Sequence, residues 1–415
     1  MNKIKTPKIN TDNNFYNSKG KNAEKIVQRL AIKTFLTDWC YLNPRLPDNK
    51  ELCDLLVVFD EIAIIWQIKD LKLNKLGKYS EAEVQKNLRQ LSGARRKLFD
   101  LKTPVELENL YRGKEKFDPT TIKEIYLISV LLGEGEEMFS FFEEIKNHKV
   151  HVFNKKFTQI ILDELDTISD FIDYLHEKEN FLEKGKSLVI LGGEEELLAF
   201  YLINNRNFKR FEKADHITIE EGSWKHLQIK PEYKRKKKAD KISYYWDSII
   251  NRAHEGSSNE YKKIAKELAR HNRVQRRFLS KIFFEAYVLA HKDTVHDSYR
   301  RILLTENYST GVTYCFLFLD DPEPRERRRA TLGAMCLIAR GKHQQNKKVI
   351  GIATEKKIRP ENSYDFCLMD IPEWTEDNQK SMEKLQRKTK IFNNLKVSRI
   401  REEEYPKIKE TGDGC

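Results

Sequence analysis

Apolar and polar positions along this chain switch between two periods. Residues 21–39 place Val27, Ala31 and Phe35 on one helical face, which predicts a helix. Two apolar runs follow, 53–59 and 62–66, separated by Asp60 and Glu61, a pattern that predicts a β-hairpin with a two-residue turn. Residues 81–99 return to helical spacing, with Val84, Leu88, Leu91 and Leu98 on one side and Lys86, Arg89, Arg96 and Lys97 elsewhere. Strands are predicted at 122–133, 149–153 and 186–193, and helices at 157–182 and 194–203. Beyond residue 207 the pattern changes. A basic, proline-containing stretch at 230–241 reads as linker, and 259–293 reads as one long helix with a basic first half. Strand, helix and strand signals at 310–321, 323–343 and 347–357 then suggest a second βαβ-like module.

The expected fold class is α/β (α+β), in this order: a polar arm over 1–20, a first domain over 21–207 with a central mixed sheet flanked by helices, a basic linker and helical segment over 208–292, and a C-terminal α/β module over 293–415. A length of 415 residues suits such a division into two or three domains.

Composition narrows the partners. Lys and Arg number 76 against 64 Asp and Glu, a formal net charge of +12, which favours a polyanion such as nucleic acid. The six cysteines show no CxxC pair, so no zinc knuckle or redox pair is expected. No apolar window is long enough for a membrane span, and residues 1–21 lack the apolar core of a signal peptide; the expectation is a cytoplasmic protein without a membrane partner. HExxH, GxxxxGK[ST] and a dinucleotide fingerprint are all absent.

The hairpin carries the strongest chemical signal. Counting outward from the Asp60–Glu61 turn pairs Phe59 with Ile62, and therefore Asp54 with Gln67. Lys69, two residues beyond Gln67, falls on the same face. A carboxylate, an amide and an ammonium thus converge at one end of an otherwise dry hairpin. Asp54, the Gln67 side chain and the Ile68 carbonyl form an oxygen set suited to Mg²⁺ or Mn²⁺, and Lys69 is placed to steady an attacking water and charge developing on a phosphate.

Asp54 followed across a hairpin by Gln67-Ile68-Lys69 resembles the PD-(D/E)xK nuclease superfamily, in the QxK variant similar to Mrr-like restriction endonucleases. The resemblance spans residues 21–99 by motif and extends to 207 by element order. It implies a restriction-endonuclease-like domain, an Mg²⁺-dependent endonuclease activity on phosphodiester bonds, and Asp54, Gln67, Lys69 and Glu24 as catalytic residues, with Asp54, Gln67, Ile68 and Glu24 at the metal. Glu24 corresponds to the acidic residue on the helix before the hairpin. Cys53 stands where the commonest pattern has Pro, and the Pro47-Asp48 pair lies too far upstream for a tight hairpin. Double-stranded DNA is the implied substrate, and defence of a prokaryote against foreign DNA the implied setting.

Candidate nucleic-acid contacts are Lys86, Arg89, Arg95 and Arg96 on the helix after the hairpin, within or beside the run Gly93–Lys97, while Gln85 and Gln90 on its polar side are candidates to touch the site itself. Arg270, Arg273 and Arg277 form a second basic stripe, on the long helix. Asp320 with Glu355 and Lys357 mimics the motif but encloses a whole helix, so it reads as coincidence. Two rival readings stand beside the nuclease: a non-catalytic nucleic-acid-binding or scaffold protein, and a nuclease effector gated by an activating ligand or partner protein through the C-terminal module. A homo-oligomer is compatible with each.

Overall fold

A computed structural model describes residues 21–407 except 47, 72–73, 78, 102–104, 111–112, 134–141, 183–186, 212, 257, 306–310, 321–323 and 357–361. The arm over 1–20 lies outside the described residues. The chain divides into two compact units, Met1–Asp166 with Phe171–Trp224, and Thr167–Asp170 with Lys225–Cys415.

Unit 1 opens with α1 (Lys21–Phe35), β1 (Cys40–Leu42), β2 (Leu55–Phe59), β3 (Ile62–Asp70) and α2 (Glu81–Arg95). It continues with β4 (Val105–Asn109), β5 (Gly113–Phe117), β6 (Glu124–Leu132), β7 (Phe142–Ile145), β8 (His148–Asn154), α3 (Lys155–Glu164) and α4 (Ile168–Leu182). Last come β9 (Ser187–Ile190), α5 (Glu194–Ile203) and β10 (His216–Ile219). The central sheet has the order β1-β2-β3-β6-β8-β7 and is mixed: β3, β6 and β8 run parallel, and the outer pairs antiparallel.

The predicted hairpin is present in the predicted register, Phe59 opposite Ile62 and Leu55 opposite Trp66. Asp60 takes the left-handed conformation at the turn, φ 54°, which Asp tolerates better than most residues. Alternation then sorts the two faces of the sheet. Leu56, Ala63 and Ile65 share a core with Leu88, Leu91 and Ala94 of α2. Trp66 points the other way and packs against Phe35, Phe153 and Phe171, with ring centroids 6.2, 6.2 and 5.6 Å away.

Several expectations change. The first helix stops at Phe35, and residues 37–39 form a short 3-10 turn. The helix expected over 157–182 breaks into α3 and α4. Among the described residues, the strand expected at 186–193 pairs only with β10, in a separate two-stranded sheet, and takes no place in the central one.

Unit 2 is built from α6 (Ser223–Ile229), α7 (Pro231–Asp240), α8 (Tyr244–His254), α9 (Asn259–Ala269), α10 (Arg273–Lys292), β11 (Ser298–Leu304), β12 (Val312–Leu319), α11 (Arg325–Lys342), β13 (Lys348–Glu355), β14 (Asp365–Asp370) and α12 (Glu376–Thr389). Its sheet, β11-β12-β13-β14, has one parallel pair, β12 with β13, joined through α11 as the βαβ pattern predicts. On one face Phe283 of α10 meets Phe316 and Phe318 at 5.3 and 5.2 Å. On the other, Cys315 and Leu317 pack with Leu332 and Met335 of α11.

The segment over 208–292 is therefore divided, 208–224 lying in unit 1 and 225–292 in unit 2. The basic stretch forms α7, where Lys236 is buried and pairs with Asp240 at 2.7 Å. The long helix is two helices. Asn272 caps the second, its side chain accepting from the Gln275 amide at 2.9 Å while the Gln275 side chain accepts from the Asn272 amide at 3.0 Å.

Candidate active site

The site is assembled at the open end of the β2–β3 hairpin, on the face that α2 covers. Asp54 sits one residue before β2, where the paired register ends at Leu55 and Trp66, and its amide donates to the same Trp66 carbonyl at 3.2 Å, out of step with that register. Its carboxylate oxygen Oδ2 accepts from Gln67 Nε2 at 2.6 Å and from the Ile68 amide. Asp54 and Gln67 are both buried, 7% and 5% exposed. The two side chains expected to meet from turn counting do meet, although the backbone register that the count assumed ends one pair earlier, at Leu55 and Trp66. In an antiparallel strand a residue's N–H and C=O share one edge, so the Ile68 carbonyl points to the same edge as the amide that meets Asp54.

Behind the hairpin, Gln28 of α1 fixes the backbone. Its Nε2 donates to the Asp54 carbonyl at 3.1 Å and to Asn43 Oδ1 at 2.6 Å. Pattern reading missed this residue, because its partners lie in a loop that carries no periodicity. Glu24 stands one helical turn before Gln28 on α1, and its side chain lies outside the described residues.

Asp54, Gln67 and Lys69 line one wall of a cleft of about 290 Å³, and Gln90, Gly93 and Lys97 line the wall opposite. Lys69 and Lys97 are half-buried, and neither makes a hydrogen bond or ion pair with a described residue. Glu51 and Cys53 also border the cleft. Burial pushes the Cys53 thiol well above its ordinary range, with Asp54 and Glu51 adding to the effect, so it is a wall of the cleft and no nucleophile.

No protein-family model, curated protein or solved structure matches this chain.

The remaining candidates separate. Lys86, Arg89 and Arg96 are exposed on α2 or just past it, and none of the three lines the cleft. Arg95 pairs with Asp100 at 2.7 Å across a π-helical turn, Arg96–Asp100. The stripe Arg270, Arg273, Arg277 is not a nucleic-acid face. Arg270 caps the end of α9 and lies 3.6 Å from Glu267. Arg273 and Arg277 are buried on α10, where they pair with Asp247 at 2.9 Å and Asp240 at 2.7 Å. The stripe was legible as a stripe; the acids that absorb it come from other helices. Of the motif mimic, Glu355 bonds Ser363 and Arg328, Asp320 lies 3.6 Å from Lys356, and Lys357 is outside the described residues.

Among the described residues no three His, Cys, Asp or Glu side chains cluster as a metal site. The oxygens at the hairpin end are one buried carboxylate, an amide and a backbone carbonyl. Such a set suits Mg²⁺, which keeps several waters and needs few protein carboxylates, and does not suit zinc. No described helix is long and apolar enough to cross a membrane.

Proposed function

We propose that this chain is a metal-dependent nuclease whose centre is the hairpin end of unit 1. One observation carries the reading: buried Asp54 faces Gln67 across the hairpin, and Lys69 lines the same cleft two residues further on. The element order helix, hairpin, helix, strand around these residues supports it. Mg²⁺ or Mn²⁺ would be held by the Asp54 carboxylate, the Ile68 carbonyl and the Gln67 amide, with Glu24 as the fourth residue assigned to the metal. When bound, such a cation polarises a phosphoryl oxygen and makes water a better nucleophile at neutral pH.

The chain's own residues have separate tasks. Gln67 and the Ile68 amide fix the orientation of the Asp54 carboxylate, so little reorganisation remains when substrate arrives. Lys69, without a described counterion, holds the phosphate and counters charge that grows as the phosphodiester bond breaks. DNA is the proposed substrate, and restriction of foreign DNA in a prokaryotic cytoplasm the proposed setting; an activating ligand or partner would act through unit 2.

Incubation of the purified chain with plasmid DNA and Mg²⁺ or Mn²⁺ tests the reading. Cleavage should fall by at least ~10²-fold in Lys69→Ala, the scale of removing one transition-state donor. Absence of cleavage with either metal, or equal cleavage by Lys69→Ala, overturns it. The same Asp54 contacts favour a second reading, a non-catalytic nucleic-acid binder, because a carboxylate that already has two N–H donors is stable without a cation. Calorimetry separates the two: no metal binding together with retained DNA binding selects the second.

A further inference from the structure

The α2 wall of the cleft was not chosen by the nuclease motif, and it has an unusual composition. Gln90, Gly93 and Lys97 recur at helical spacing, one stripe on one side of the helix. The next stripe round, Leu88, Leu91 and Ala94, enters the core. On the cleft side of the helix, Gly93 leaves room that a larger side chain would enter.

Gly93 is not required by the fold. It has ordinary helical backbone, and a Cβ built on it would meet nothing within 4 Å. Glycine inside a helix is less stable than alanine there. The chain thus keeps a destabilising residue at a position where packing and backbone geometry would both accept a larger one. What the glycine preserves is open space beside Gln67 and Lys69.

Lys97 supplies the second observation. It sits in the π-helical turn Arg96–Asp100, which is anchored by buried Leu98 and by the Arg95–Asp100 pair. A single π turn of this kind redirects a side chain within an otherwise regular helix. The result is two half-buried lysines, Lys69 and Lys97, lining one cleft, neither in an ion pair with a described residue, although Lys97 feels the charge of Asp48 and the cleft also holds the Glu51 and Asp54 carboxylates. With no close salt bridge to hold them, both ammonium groups can meet phosphate oxygens.

We propose that the cleft seats one strand of a nucleic acid, with the backbone running over Gly93, one phosphate at Lys69 and a neighbouring phosphate at Lys97. This rests on the part of the nuclease reading that places a phosphodiester in this cleft. Lys97 is a positioning residue: it sets the register of the strand against Asp54 and takes no part in bond breaking. At about 290 Å³ the cleft is at the small end of ligand pockets, which suits a backbone unit of one strand.

The test uses the full chain and a fluorescent single-stranded oligonucleotide, as DNA and as RNA of one sequence, with metal removed. Lys97→Ala and Gly93→Gln should each weaken binding at least ~10-fold, by lost charge in one case and filled space in the other. Lys97→Arg should restore most of the loss, and Lys123→Ala, on an exposed lysine outside the cleft, should stay within ~2-fold. Thermal midpoints near the wild-type value in all four variants exclude misfolding, and Gly93→Ala should raise the midpoint. Binding of either oligonucleotide with this pattern supports the proposal. Binding of neither, or Lys97→Ala and Gly93→Gln that bind like wild type, overturns it. Cleavage that is normal in wild type and unchanged in Lys97→Ala overturns the seating alone; the variant pattern in binding without cleavage by wild type overturns the catalysis alone.

Discussion

His151 is fully buried on β8, within 2.9 Å of Glu179 through Nε2. Burial holds its imidazole down to about 4, from an ordinary 6.5. Between about pH 4 and 6.5 the unfolded chain carries a proton on this residue that the folded chain does not. Its contribution to stability is therefore complete above pH 6.5 and is lost as the pH falls through 4, roughly 3 kcal/mol in all. Glu194 works against this in the wild type: burial raises it to about 7, so its contribution is present below about pH 4.5 and is lost as the pH rises to 7. The difference between wild type and His151→Gln isolates the histidine. Denaturant unfolding at several pH values should show that difference growing from pH 4 to 6.5; a constant difference refutes it. At this scale the sequence was legible where local geometry decides. A two-residue turn and a period of two were enough to bring Asp54 and Gln67 into contact, but not to foresee that the paired register stops at Leu55 and Trp66. Gly93 and Lys97 were visible on their helix, but a helical wheel cannot say which polar flank meets the end of a neighbouring strand.

Helix boundaries obeyed a different logic. Asn272 with Gln275 is a capping box inside what reads as one continuous helix, and the signal was in the sequence, masked by unbroken helical propensity on both sides. Asn272→Ala should cost about 1 kcal/mol, read as a lower denaturant midpoint. The arginines after it were misread for a physical reason. Arg277 is buried and joins Asp240 of α7 at 2.7 Å and Glu402 at 2.7 Å, partners that no local window contains. Removing it leaves buried Asp240 with one cation fewer, so Arg277→Ala should destabilise by roughly 3–5 kcal/mol. Arg270, a third exposed beside Glu267, should cost less than about 1 kcal/mol on the same change. Equal losses in the two variants would contradict the burial that separates them. The same acids explain why α7 is a helix and not a linker: Asp240 takes up Lys236 one turn away, and a charge run that looks solvated is partly internal.

For the whole molecule, a formal net charge of +12 says that a polyanion is favoured without saying where it lands. The distribution of the charge does say. On α10 of unit 2, Arg273, Arg276 and Arg277 are buried against Asp247, Asp240 and Glu402, and have no phosphate to take and no counterion to release. In unit 1, Lys69 and Lys97 line a cleft and neither is locked in an ion pair with a described residue. Salt dependence measures this difference directly, because each phosphate neutralised contributes about 0.7–0.9 to the slope of log affinity against log salt. If the strand lies in the cleft, Lys97→Ala should reduce the slope by about one such increment, and Arg270→Ala should leave it unchanged. A slope that falls with Arg270→Ala and holds with Lys97→Ala would move nucleic-acid binding from the hairpin cleft to the helices of unit 2. The basic excess would then belong to a surface that neither the motif nor the cleft identifies.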